Sequence, residues 1–159
     1  MLANVTSMAL HGLDGYLIQV QVDVSGGLPA WEIVGLADIA IKESKERVRI
    51  AIKNSGMEFP SRRIIVNLAP ADVRKEGTFL DLPIAIGILI ASGNIKNECL
   101  KDFLKDTIFI GELSLDGTVE GINGILPICI EAKKQGIKRV ILSAKNAKEA
   151  SIIEGLDIL

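Results

Sequence analysis

Apolar and polar positions alternate from the start of the chain. Val5 to Leu10 and Tyr16 to Val24 read as two strands, joined by a turn at Gly12-Leu13-Asp14-Gly15. Within the second, Tyr16, Ile18, Val20, Val22 and Val24 fall on one face, while Gln19, Gln21 and Asp23 fall on the other. Gly26-Gly27 interrupts the pattern, and Ala30 to Leu36 gives a third strand around Trp31, Ile33 and Val34. The opening is expected to be a β-meander with one face in water.

The period then lengthens. Asp38 suits the N-cap of a helix running to Asn54, Gly56 suits its left-handed end, and Ile41, Val48, Ala51 and Ile52 form the buried stripe. Arg63 to Leu68 is a short β-branched strand closed by Pro70, and Ala71 to Thr78 is a charged loop. Asp81 is expected to cap a second helix with Pro83 in its first turn, where no amide donor is needed. That helix is apolar nearly all round and should lie centrally. Thr107 to Leu115 reads as one strand, turned by Asp116-Gly117 into Thr118-Val119. A helix from Ile125 to Gln135, a strand from Arg139 to Leu142 and a helix from Ala144 to Ala150 follow, and a last strand opens at Leu156 and reads as cut short. This order predicts an α/β (α+β) fold: one domain over 1–159, with a mixed sheet and helices packed on it.

Composition agrees with a folded domain. Hydrophobic residues make up 48% and charged residues 24%, while aromatics are only 4%, so the core must be built from Ile, Leu, Val and Ala. Cys99 and Cys129 form no paired motif, which suggests neither a disulfide framework nor a zinc knuckle. The first ten residues lack the basic and apolar regions of a signal peptide, and the longest apolar run, Leu82 to Ala91, is too short to span a bilayer. No membrane partner and a cytoplasmic location are expected.

Several chemistries lack their residues. No Gly-x-x-x-x-Gly-Lys-[Ser/Thr] loop is present to cradle phosphates. His11, the only histidine, is expected to be solvated beside its turn rather than part of a triad. Asp72, Glu76 and Asp81 are candidates for a hard-cation site but read as solvated or capping groups, so no metal ligand is assigned. The net charge of −2 opposes a uniformly basic nucleic-acid binder, yet Lys42 to Lys75 holds nine basic residues against four acidic ones. Lys42, Lys45, Arg49 and Lys53 follow helical spacing, with Arg62 and Arg63 beyond. They read either as a phosphate-backbone contact strip or as a solvated helix face laced with Glu–Lys pairs.

The segments Ile33-Val-Gly-Leu-Ala-Asp38, Lys42-Glu-Ser-Lys-Glu-Arg-Val-Arg49, Asn67 to Leu89 and Gly111-Glu-Leu-Ser-Leu-Asp-Gly117 resemble the YifB/ComM family of magnesium-chelatase-like AAA+ ATPases through essentially the whole chain. The resemblance implies an N-terminal domain of Lon-protease fold, carried by a parent protein whose AAA+ module binds ATP and Mg2+ and assembles into a ring. Members of that family are described as magnesium-chelatase-like or as competence-related helicases acting on DNA branches. Lon-type proteases use a Ser-Lys dyad. Laid on their pattern, this sequence has Phe79 at the nucleophile position and Leu126 at the lysine position. Both reactive groups are replaced by hydrocarbon, and no cofactor is expected in this chain. Three readings follow: a non-catalytic domain that contacts DNA or substrate and aids ring assembly, a Lon-like serine peptidase, and a purely structural oligomerisation module. The first is favoured, because the dyad is missing.

Overall fold

A computed structural model describes residues 1–159. The alternating opening forms a long antiparallel hairpin, β1 (Leu2–His11) and β2 (Asp14–Ser25), in register from Leu2↔Asp23 to His11↔Asp14. The third strand, β3 (Ala30–Val34), does not extend this hairpin as a meander. It pairs in parallel with β4 (Arg63–Ala69), and β4 lies between it and β2. The helix α1 (Ile39–Asn54) separates β3 from β4 in sequence, and a crossover of that length permits parallel pairing.

α1 begins where its cap predicts, with the Asp38 carboxylate accepting from the Ile41 N–H at 2.8 Å, and Gly56 beyond its end adopts φ +77°. The central helix α2 (Asp81–Ala91) is buried at every position except Ile86. Gly87 brings it close to the sheet: a Cβ there would lie 2.5 Å from Val22 Cγ2. A short helix missed in the sequence, α3 (Leu100–Lys105), leads into β5 (Thr107–Phe109). The single strand expected from Thr107 to Leu115 divides, because after Phe109 the chain leaves the sheet to form a separate hairpin of β6 (Glu112–Leu113) and β7 (Val119–Glu120). α4 (Ile125–Lys134), β8 (Arg139–Ile141), α5 (Ala144–Ala150) and β9 (Asp157–Ile158) complete the chain.

The seven-stranded mixed sheet has the order β3-β4-β2-β1-β5-β8-β9 and separates two cores. Val5, Val20, Val22, Val66 and Leu68 meet α1 and α2 on one side. On the other, Met8, Ile108 and Val140 meet Ile125, Ile128 and Cys129 of α4. Burial holds the Cys129 thiol up at about 11, so it stays protonated at neutral pH. No helix is long and apolar enough to cross a membrane.

Asp81 is neither the helix cap nor the solvated acid that the sequence suggested. Its carboxylate is buried and accepts from Arg47 of α1 through Nε at 2.7 Å and Nη2 at 3.0 Å, and from the Leu113 N–H at 3.1 Å. Burial raises the Asp81 carboxyl from its ordinary value, while the Arg47 fork and the Leu113 amide pull it back. The pair ties α1, α2 and β6 together. Removing one partner strands the other, so Asp81→Leu is expected to destabilise the chain by roughly 3 kcal/mol in urea denaturation. The double replacement Arg47→Met with Asp81→Leu should cost less than the sum of the two single changes. Strict additivity would show that the two groups act independently.

Candidate functional site

The loop between β4 and α2 has little regular structure, yet it is firmly held. Lys75, counted in the sequence as one more exposed base, is fully buried. Its ammonium donates to the carbonyls of Gly35 at 2.8 Å, of Leu68 at 2.9 Å, and of Pro70. Three donors meet three acceptors, while burial lowers the pKa from the ordinary lysine value and the negative charge of Asp72 opposes that shift. The Lys75 backbone adds two bonds, its N–H to Leu36 O at 3.0 Å and its carbonyl from Asp38 N–H at 3.1 Å. Gly35 permits this approach: its φ is +104°, and a Cβ there would lie 2.2 Å from the Leu68 carbonyl oxygen. Asp38 closes the clamp, since its second carboxylate oxygen accepts from Gly77 N–H at 3.1 Å.

The clamped loop forms one wall of a cleft of about 1120 Å³. Opposite it stand the last residues of β1 and the segment Gly121-Ile122-Asn123 ahead of α4. Phe79 lines the cleft and packs against both cores at once. Thr78, the one hydroxyl on that stretch of loop, donates to Glu112 Oε2 at 2.6 Å rather than to any lysine. Tyr16 stands at the rim; burial first, and then the negative charge of Glu76, hold its hydroxyl above its ordinary value. His11 ends β1 exposed, as expected beside its turn, and also lines the cleft.

Leu126 does not line this cleft. It is half-buried on the first turn of α4, where its N–H donates to Glu149 Oε1 of α5 at 3.3 Å. Phe79 and Leu126 therefore supply apolar surface without sharing the cleft, and neither can move a proton or attack a carbonyl.

The basic strip is thinner than its sequence count. Arg47 is spent on Asp81 and Lys75 is buried. Lys45 donates to the Trp31 carbonyl at 2.7 Å, and Arg49 pairs with Glu46 at 2.6 Å. Lys42, Lys53, Arg62 and Arg63 are exposed and form no ion pair. Because α1 crosses from the end of β3 back to the start of β4, Lys53 lies at the same end of this unit as Arg62 and Arg63. Lys42 lies three turns away along the helix, about 16 Å. A second groove, of about 850 Å³, runs between β1, the end of α2 and α3, past Lys96, Lys101 and Lys105. None of the expected site residues lies there.

Neither the clamp nor the cleft was read from the sequence. Lys75 sits between Arg74 and Glu76 in a charged loop, and nothing local distinguishes it from a solvated lysine. The available signal was the cluster of a glycine, a proline and a strand end that must leave buried carbonyls to satisfy.

Residues 20–146 match the family model described as subunit ChlI of Mg-chelatase. The chain is 42% identical to the competence protein ComM of Haemophilus influenzae over 96% of its own length and 29% of that protein. It is 40% identical to YifB of Escherichia coli over 97% of its length and 29% of that protein. A more distant relative is Lon protease 2 of Bacillus subtilis, at 26% identity over 98% of the chain and 30% of that protein. The chain thus spans about three tenths of the length of these curated relatives.

Replacing Lys75 by Met removes the ammonium and leaves three buried carbonyls without donors. The expected loss is about 3 kcal/mol or more in chemical denaturation. Amide exchange in residues 72–78 should rise together with it. Unchanged protection of that loop would mean that the clamp is not what holds it.

Proposed function

Because the chain belongs to the family of the magnesium-chelatase subunit ChlI, in the company of ComM and YifB, we propose that it serves as the non-catalytic N-terminal domain of an AAA+ ATPase. The observation that carries this reading is the filling of both dyad positions, Phe79 and Leu126, with hydrocarbon on a frame related to Lon. ATP and Mg2+ belong in this reading to the ATPase module of a cytoplasmic parent protein. The domain contributes to contact with DNA or substrate and to ring assembly. Leu28, Val34, Leu36 and Ile39, exposed on and beside edge strand β3, support a share in assembly, since they leave apolar surface unburied.

Contact with DNA is assigned to Lys42, Lys45, Arg49, Lys53, Arg62 and Arg63. Binding through such side chains is independent of base sequence and weakens with salt, because each neutralised phosphate releases condensed counterions. Affinity for duplex DNA is expected in the range of about 10⁻⁴ to 10⁻⁶ M at physiological salt. A log–log salt slope of roughly 3.6 in magnitude should reflect the four bases that are not already paired, at about 0.9 for each. Arg49→Glu with Lys53→Glu should abolish binding and leave the fold intact. Fluorescence anisotropy over a salt series tests this, and indifference to both reversals would remove the DNA assignment.

The same reading expects no peptidase activity. Thr78 lacks a lysine partner, and its proton is engaged by Glu112. Purified chain should leave fluorescein-labelled casein uncleaved. Turnover abolished by Thr78→Val would establish a peptidase instead.

A further inference from the structure

β1 is paired on both sides only around Thr6. With β2 it runs antiparallel as far as His11↔Asp14, whereas β5 meets it in register at Thr6↔Ile108 alone. The Ser7 hydroxyl donates to Phe109 O at 2.8 Å, and past that point the neighbouring chain turns away. The Ile110 N–H goes to Ile141 O, and the Gly111 N–H goes to Phe79 O. From Met8 to His11 no strand accompanies β1 on this side; all four residues line the cleft described above, with Met8 buried, Ala9 and Leu10 half-buried and His11 exposed. A sheet edge left open in this way presents a row of backbone donors and acceptors at every second residue.

The rest of the cleft supplies two further constraints. Its floor is apolar, with Leu10, Phe79 and Ile122 half-exposed to it and Met8 and Ile128 buried beneath. Its polar margin is acidic: Asp72, Glu76 and Glu112 stand against a single arginine, Arg74, which is tied to Glu76 at 3.3 Å. The nearby Lys75 ammonium, enclosed by the carbonyls of Gly35, Leu68 and Pro70, interacts with Asp72 and offsets part of this charge, but three carboxylates still outnumber the two cations and Lys75 cannot reach a ligand.

An unpaired strand edge selects extended backbone, an apolar floor selects every second side chain, and an acidic margin selects the charge of the others. We propose that this cleft binds an extended polypeptide segment, which adds to the free edge of β1 over Ala9–His11 and is selected for alternating apolar and basic side chains. Backbone hydrogen bonds to β1 supply affinity, the floor takes the apolar side chains, and Asp72, Glu76 and Glu112 discriminate by charge. The site needs no catalytic group, so the hydrocarbon at Phe79 improves it by adding floor. It is also separate from the DNA contacts, which lie on α1 and at the start of β4.

The test is an NMR titration of the isotopically labelled chain with capped peptides of alternating Leu and Lys. A Leu/Glu peptide and a Leu/Lys peptide N-methylated at alternate residues serve as comparisons. The Leu/Lys peptide should shift the amides of residues 9–11 and 121–123. The Leu/Glu peptide should bind at least about tenfold more weakly. N-methylation on the bonding edge should reduce binding by a similar factor, roughly tenfold. Asp72→Lys with Glu76→Lys changes two exposed side chains and should reverse the charge preference, with an unchanged amide spectrum elsewhere verifying the fold. Arg49→Glu with Lys53→Glu should leave peptide binding as it is, which keeps failure here distinct from failure of the DNA assignment. Equal affinity for the two charge types, shifts confined to other surfaces, indifference to N-methylation, or no binding up to about 1 mM would each overturn the proposal.

Discussion

A lysine amine sealed among three carbonyls is the constraint from which the site follows. The ends of β3 and β4 and the turn at Pro70 converge at one point, and each delivers a backbone oxygen there. The Lys75 ammonium answers all three. A buried charge with incomplete hydrogen bonding would be very costly, and one with complete bonding is hard to displace. The arrangement therefore tolerates little drift, and it gives a loop without regular secondary structure the definition of a core element. Asp38 extends that definition in two directions, capping α1 with one oxygen and holding Gly77 with the other.

The Arg47–Asp81 pair does the corresponding work at the other end of the same loop. It fixes where α2 begins relative to α1, and its third bond, from Leu113, places the β6–β7 hairpin beside them. Between these two fixed points runs the segment from Glu76 to Leu80. On the Lon pattern it is where a nucleophile would stand. Here Phe79 is a wedge between two cores. On that pattern the hydroxyl and the amine are replaced by hydrocarbon, at Phe79 and at Leu126.

What could be read in the sequence was what is encoded locally. α1 announces itself through Asp38 and Gly56, α5 was legible from Ala144 to Ala150, and the apolar composition of α2 by itself places it centrally. The alternation in β2 names its buried face correctly. Pairing partners were not legible in the same way. Nothing in Ala30–Val34 states that β4 will come between it and the hairpin, because that choice depends on where α1 packs. The two misread charged residues share one physical origin. Asp81 and Lys75 look solvated beside their sequence neighbours, and only distant groups, Arg47 in one case and the Gly35 and Leu68 carbonyls in the other, make their burial tolerable. The open edge of β1 was hidden for a related reason, since it exists only because the chain departs after Phe109.

The missing side chain at Gly87 has a mechanical meaning beyond close packing. It is the only point on the buried surface of α2 where the backbone can come so near to Val22. Sliding the helix along its axis by one turn, about 5.4 Å, would put Pro83, Ile84, Ile90 or Ala91 over that spot and drive added carbon atoms into the valine. The glycine thus acts as an indexing notch, setting the phase of α2 on the sheet. The loop that leads into α2 inherits the same phase, so one wall of the cleft is registered to the sheet from within the protein's largest core, by an atom that is not there.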